Sequence, residues 1–207
     1  MIDTEHPIFL GSASPRRREI LATLGLPIRV VRATVDESAL AGEAAAAYVE
    51  RIALAKLLAV ARLPEVVRAG AVIVADTAVI LGDAILGKPR DEADARSMLG
   101  ALSGREHEVW TRFVLASGEE PARAAHAETV RTRVVFRALD EDEIAGYAAT
   151  GEGLDKAGAY AIQGIGGFAV ARIEGSYTNV VGLPACEVVI ALRRAGLLAR
   201  FPALARP

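Results

Sequence analysis

The chain has 207 residues, 52% of them hydrophobic and 24% charged, which is globular composition at the length of one domain. Its formal net charge of −2 argues against nucleic acid as a partner, and no apolar run reaches the roughly 18 residues of a membrane span. Cys186 is the only cysteine, so intramolecular disulfides and multi-cysteine zinc sites are excluded, and His6, His107 and His126 lack metal-ligand spacing.

The opening stretch, Met1–Pro7, carries Asp3 and Glu5, unlike a signal or transit peptide, and the cytoplasm is the expected compartment. Ile8–Gly11 reads as a first strand. Ser14 then suits an N-cap and Pro15 the first helical position of a helix ended by Gly25, with Ile20, Leu21 and Leu24 on one face. Ile28–Val35 reads as a second strand. Glu43–Leu63 is an Ala-rich helix with Tyr48, Ile52, Ala55 and Ala59 as its apolar stripe and Lys56 at the stripe's edge. Ala71–Leu81 is the strongest strand, β-branched and apolar except at Asp76-Thr77, and Gly82-Asp83 turns it into Ala84–Leu86. Asp91–Leu102 is a helix with acids in its first turn. The pattern from His107 to Leu139 is β-rich, with a turn near Ser117–Pro121, and Asp140–Ala149 is a helix opened by acids. Tyr160–Gln163, Phe168–Ile173 and Val180–Leu183 read as short strands or loops, and Pro184–Phe201 as a closing helix. The sum is an α/β (α+β) fold with a mixed central β-sheet flanked by helices, in a single domain over residues 1–207.

Several motifs tempt and fail. Gly82–Lys88 matches seven positions of a P-loop, but Pro89 stands where a Ser or Thr must bind magnesium. Gly164-Ile-Gly166-Gly-Phe-Ala169 fits the relaxed dinucleotide fingerprint, but a strand and a turn follow it instead of a helix.

A different constellation survives. Ser12, Ser14, Arg16, Arg17 and Arg18 crowd a strand-to-helix junction, where unpaired N–H groups, hydroxyls and guanidinium forks favour a polyphosphate. The plain alternative is a capped helix with a solvated basic turn; cations there oppose the helix dipole and need another reason to be present. Asp76 interrupts a strand that otherwise reads as buried, so its carboxylate must be paired, metal-bound or neutral, and Thr77 beside it can donate to a phosphate or base. Of 24 basic residues only Lys56, Lys88 and Lys156 are lysine, which marks these three as places needing a compact ammonium. Pro89 keeps Lys88 out of helical geometry. Asp36-Glu37 offers acids to a hard cation and reads equally well as a turn. Gln163, near Lys156, Tyr160 and Gly164, carries an amide that can read a base edge, although glycine-rich stretches with a Tyr are often only turns.

Ser12-Ala13-Ser14-Pro15-Arg16-Arg17, Ala75-Asp76-Thr77, Gly87-Lys88-Pro89, Leu102-Ser103-Gly104-Arg105-x-His107-x-Val109-x-Thr111 and Gly175-Ser176-Tyr177-x-Asn179-Val180-Val181-Gly182-Leu183-Pro184 occur in that order. Together, from about Ile8 to Leu198, they resemble the Maf family of nucleoside triphosphate pyrophosphatases. The resemblance implies a Maf/ITPase-like fold with two lobes around a deep cleft, often a homodimer. It implies a hydrolase that cleaves the α–β phosphoanhydride of a nucleoside triphosphate, with a divalent cation (Mg²⁺ or Mn²⁺), in house-cleaning of nucleotide pools. By position, Asp76 matches the catalytic base and Lys88 is grouped with it. Asp76 and Glu37 are the expected metal ligands. Arg16, Thr77 and Gln163 match positions tied to substrate choice, and Ser12, Ser14, Arg17 and Lys56 are expected to bind substrate. The stretch Ala159–Gly164 is similar to the subgroup acting on dTTP and UTP. A 7-methyl-GTP pyrophosphatase of the same family and a non-catalytic regulator of septum formation are the alternatives. One departure is Arg112, where the family usually has a small residue.

Overall fold

A computed structural model describes residues 1–202. The elements run β1 Ile8–Gly11, α1 Pro15–Thr23, β2 Ile28–Val31, α2 Ala45–Ala61, β3 Ala71–Leu81, β4 Ala84–Leu86, α3 Glu92–Leu102, β5 Glu106–Ser117, β6 Ala124–Phe136, α4 Glu141–Ala149, β7 Val170–Glu174, α5 Tyr177–Val181 and α6 Ala185–Arg194. The seven-stranded sheet has the order β2-β1-β3-β5-β6-β7, with β4 also paired to β3. β1 pairs in parallel with β2 and β3, and the remaining pairs are antiparallel, so the sheet is mixed as expected.

The length of β3 explains the cleft. β5 lines one edge of β3 from Ala71 to Ile80. The other edge is shared: β1 takes Ala71–Ile73 and β4 takes Val79–Leu81. Residues 74–78 therefore carry no strand partner on that side, and the gap is the floor of the cleft. The core divides at the same place. Ala71, Ile73 and Ala75 belong to one apolar cluster and Val79 to another; on the opposite face Val72 and Val74 belong to a third and Ala78 and Ile80 to a fourth. Asp76 and Thr77 sit where the clusters part, with strands β3 and β5 running through both lobes.

Strand alternation sends the two polar side chains opposite ways. Asp76 faces α2, and Thr77 faces α1 and α5. Gly11 ends β1 against α2, where a Cβ would stand 2.5 Å from Val60 Cγ2.

Several boundaries differ from the sequence reading. β2 stops at Val31, opposite Gly11, because β1 there turns into α1 and leaves residues beyond Val31 unpaired. α2 is shorter than Glu43–Leu63, and Lys56 lies on its buried stripe, with Tyr48, Ile52 and Val60, not at its edge. Val180 belongs to helix α5, which Ser176 caps by accepting from the Asn179 N–H at 3.2 Å. The last helix ends at Arg194, ahead of Gly196 at φ +68°. No helix among the described residues is long and apolar enough to cross a membrane.

Candidate active site

The gap in β3 opens into a cavity of about 720 Å³, the size class of small-ligand sites. Its wall is drawn from the β1–α1 junction, the 33–39 loop, α2, β3, the turn after β4, residues 155–163 and the end of α5. Five cationic side chains line it, Arg16, Arg17, Lys56, Lys88 and Lys156, against three carboxylates, Glu37, Asp76 and Asp155. The chain is net acidic, so this excess of positive charge is local and suits an anion.

Asp76 lies at the centre and is 5% exposed. Its Oδ1 accepts from Lys56 Nζ at 2.7 Å, which answers the cost of burying the charge. Its Oδ2 is buried with no hydrogen-bond partner among the described residues, an acceptor awaiting a donor or a cation. Lys56 reaches both acids, since Glu37 Oε1 stands 2.7 Å from the same Nζ. Glu37 Oε2 accepts in turn from Lys88 Nζ at 3.2 Å. Burial pushes the Glu37 carboxyl up, but Lys56 and Lys88 outweigh it and hold the group below its ordinary value. Glu37 is positioned from α2: Tyr48 Oη donates to its carbonyl at 3.0 Å. Burial, then Asp76 and Glu37, push the Tyr48 phenol up to about 12, so it stays a neutral donor.

The other face is a network around Arg17. This guanidinium is buried; Nε donates to the Gly182 carbonyl at 2.7 Å, Nη1 to Ser12 Oγ at 3.0 Å and Nη2 to Thr77 Oγ1 at 3.0 Å. Thr77 Oγ1 lies 2.9 Å from Thr111 Oγ1, which donates to the Asn179 carbonyl at 3.2 Å. Thr77 Oγ1 also lies 3.4 Å from the Gly182 carbonyl, so this hydroxyl, which accepts from Arg17 Nη2, braces Arg17 on the wall of the cleft. Asn179, fully buried, donates from Nδ2 to Val109 O at 2.9 Å and Thr132 Oγ1 at 3.0 Å. Thus the Thr111 and Asn179 motifs are struts behind the wall.

A family model described as Maf-like protein matches residues 7–195. The chain belongs to the Maf family. A dTTP/UTP pyrophosphatase of Myxococcus xanthus (strain DK1622) is 55% identical over 192 residues, 92% of this chain and 93% of that protein. One of Geotalea uraniireducens (strain Rf4) is 49% identical over 198 residues, 96% of this chain and 100% of its own. One of Hahella chejuensis (strain KCTC 2396) is 47% identical over 190 residues, 92% of each chain.

The Maf motifs converge as expected in most places. Ser12, Ser14, Arg16, Arg17, Glu37, Lys56, Asp76, Thr77, Lys88 and Gln163 all line the one cleft. Three details differ. Ser14 occupies the N-cap position of α1, but its hydroxyl makes no cap; Ser12 Oγ accepts from the Ser14 N–H instead, at 3.2 Å. Arg18 is exposed and does not line the cleft, because the helix turns it away from Arg16 and Arg17. Arg112 stands opposite Asp76 on β5 but reaches Glu50 and Thr129, outside the cleft wall. Sequence reasoning read Tyr48 only as part of an apolar stripe and singled out Lys156 as a rare lysine without giving it a role, and both line the cleft. Each carried a signal: Tyr48, Ile52 and Lys56 are four apart on one helical face, and Lys156 is the third of three rare lysines, all of which line the cleft.

The donor set fits a divalent cation of one kind. No group of three or more His, Cys, Asp or Glu that could hold a metal occurs among the described residues. Asp76 Oδ2 is the one oxygen of the two carboxylates without a partner, the other three being engaged by Lys56 and Lys88, so a hard cation such as Mg²⁺ would share Asp76 and Glu37 with these ammonium groups and take its remaining ligands from phosphates and water.

Proposed function

We propose that this chain is a nucleoside triphosphate pyrophosphatase that hydrolyses dTTP and UTP to the monophosphate and pyrophosphate. The observation that carries the reading is Asp76: a buried carboxylate with one oxygen held by Lys56 and the other unengaged, on the floor of a cation-lined cleft. The relatives that share about half of its residues are named for that activity.

A triphosphate repels an attacking anion, and the cleft counters this with fixed positive charge. Arg16, Lys88 and the N-terminus of α1 would hold the phosphate chain, with the free hydroxyl of Ser14 as a further donor. Arg17 contributes charge from a locked position, so it costs no reorganisation when negative charge builds on the leaving pyrophosphate. Asp76 Oδ2 would orient a water in line with the α-phosphorus and accept its proton, while Lys56 keeps the carboxylate in place. Asp76 and Glu37 would hold Mg²⁺ or Mn²⁺, which when bound supplies Lewis-acid neutralisation of the phosphate oxygens. Gln163, on the cavity wall, would read the base edge, its amide accepting from an imide N–H and donating to a carbonyl. An enzyme that acts on the nucleotide pool would work in the cytoplasm.

The test is hydrolysis of dTTP, UTP, CTP, ITP and 7-methyl-GTP with Mg²⁺ or Mn²⁺, scored for pyrophosphate and orthophosphate. Pyrophosphate from dTTP and UTP ahead of the others is expected. Orthophosphate as first product overturns the bond assignment. Tight nucleotide binding without turnover replaces the enzyme by a nucleotide-binding regulator.

A further inference from the structure

Gln163 lies on an irregular loop, and an amide on a loose loop cannot tell a pyrimidine from a purine. The N1–H and C6 carbonyl of hypoxanthine present the same donor and acceptor as the N3–H and C4 carbonyl of uracil. The two bases differ in how far that edge lies from the ribose. Selectivity at Gln163 therefore depends on where its backbone is held, and the structure shows what holds it.

Glu152 follows the C-terminus of α4. Thr150 Oγ1 donates to the Tyr147 carbonyl at 2.7 Å and accepts from the Glu152 N–H at 3.2 Å, which fixes this turn. The Glu152 carboxylate then takes three donors: the Ile165 N–H on Oε1 at 3.0 Å, and on Oε2 the Gly166 N–H and Tyr147 Oη, both at 2.9 Å. Tyr147 Oη also accepts from the Ala161 N–H at 3.1 Å. The loop is thus pinned on both sides of Gln163, at residue 161 and at residues 165–166. Two glycines make room for the pin. A Cβ at Gly164 would stand 2.0 Å from Glu152 Oε1, and one at Gly166 would stand 2.4 Å from Tyr147 Oη. The carbonyl of Glu152 meanwhile accepts from Lys156 Nζ, which lines the cleft. The Glu152 carboxyl is pushed up by burial but held below its ordinary value by these N–H groups, Tyr147 and Lys156, so it carries the charge that the three donors complement.

We infer that Glu152, acting with Tyr147, is a positioning residue that sets the depth of Gln163 in the cleft and thereby the preference for a pyrimidine over a purine triphosphate. This rests on the pyrophosphatase reading above. Glu152 touches no reacting atom, so its loss should leave the chemical step alone.

The experiment is a specificity ratio, kcat/KM for UTP over kcat/KM for ITP, in the wild type and in Glu152→Gln, Tyr147→Phe, Gln163→Ala and Glu152→Gln/Gln163→Ala. Glu152→Gln leaves the ring of Tyr147 and the volume of the site unchanged; it removes one acceptor, so one loop N–H loses its partner. The ratio should fall by roughly three- to tenfold, the scale of one misplaced hydrogen bond, through KM for UTP, with kcat changed less than twofold. Tyr147→Phe should move the ratio in the same direction by less, and it guards against a Glu152→Gln chain that does not fold. In the Gln163→Ala background Glu152→Gln should change nothing further, since the pin then has no reader to position. A general loss of stability would lower kcat for both nucleotides and leave the ratio alone. A selective wild type whose Glu152→Gln and Tyr147→Phe variants keep the ratio overturns the Glu152 assignment and leaves the pyrophosphatase reading intact. A wild type that hydrolyses neither nucleotide overturns that reading, and the proposal with it.

Discussion

At the scale of single residues, the cleft turns on how an acid is kept in an apolar strand. An ionised carboxylate 5% exposed would cost several kcal/mol unpaired. Lys56 meets that cost from the buried stripe of α2, and a second acid, Glu37, stands on the same ammonium. The chemistry needs both halves: a cation that fixes one oxygen, and a second oxygen left free. Asp76→Asn keeps the shape and an acceptor for Lys56 but removes the base. Turnover of dTTP should fall by roughly a hundredfold or more, with KM little changed. Steady-state release of pyrophosphate measures it, and near-normal turnover would remove Asp76 from the role of base. Asp76 was legible in the sequence because it is the one charged residue inside Val72–Ile80, a run otherwise interrupted only by its neighbour Thr77. Glu37 was less legible, since Asp36-Glu37 is an ordinary turn composition; only the fold shows Tyr48 drawing its backbone over the cleft.

At the scale of elements, the long β3 strand and the short α5 helix show opposite degrees of legibility. Ala71–Leu81 agrees with its sequence reading at both ends, because apart from Asp76 its eleven residues are apolar or β-branched and leave no competing pattern. α5 has five residues, two of them Val, and local preference alone favours a strand or a loop there. Tertiary contacts decide instead: Ser176 caps it, Asn179 ties it to β5 and β6, and Gly182 ends it at φ +127°. The Gly182 carbonyl released at that end is the acceptor for Arg17 Nε. A side chain at this φ is strained, although a Cβ there would meet Arg17 Nε only at ordinary contact distance, 3.6 Å. Gly182→Ala should therefore destabilise the fold by about 1–3 kcal/mol and loosen the Arg17 anchor. The expected readouts are a lower urea midpoint and a raised KM for dTTP, with substrate stabilisation of the fold reduced. A midpoint equal to that of the wild type would show that the helix end relaxes without strain.

At the scale of the whole molecule, the two lobes share one sheet, and the lobe beyond the gap depends on a buried imidazole. His107, 2% exposed on β5, packs edge-on against Phe136 and Tyr160 at centroid distances of 5.0 and 5.5 Å. Its Nε2 is 2.9 Å from Tyr160 Oη, while Nδ1 is buried with no partner among the described residues. A second ring proton has no acceptor there, and burial pulls the pKa from 6.5 down to about 4. The unfolded chain therefore binds a proton between these values that the folded chain does not. The contribution of neutral His107 to stability is complete above about pH 6.5 and shrinks as pH falls toward 4, by on the order of 3 kcal/mol in all. The lowered carboxyls of Glu37 and Glu152 add their own losses only below about pH 4.5, so the window from pH 6.5 to 5 belongs chiefly to the imidazole. Urea unfolding at pH 7.5 and pH 5 should show the wild type losing stability at the lower pH. His107→Gln keeps a hydrogen-bonding group for Tyr160 but does not titrate. It should be less stable than the wild type at pH 7.5 and show a clearly shallower fall between the two pH values. Equal slopes in the two proteins would mean that the acid sensitivity of the fold originates elsewhere than in this lobe.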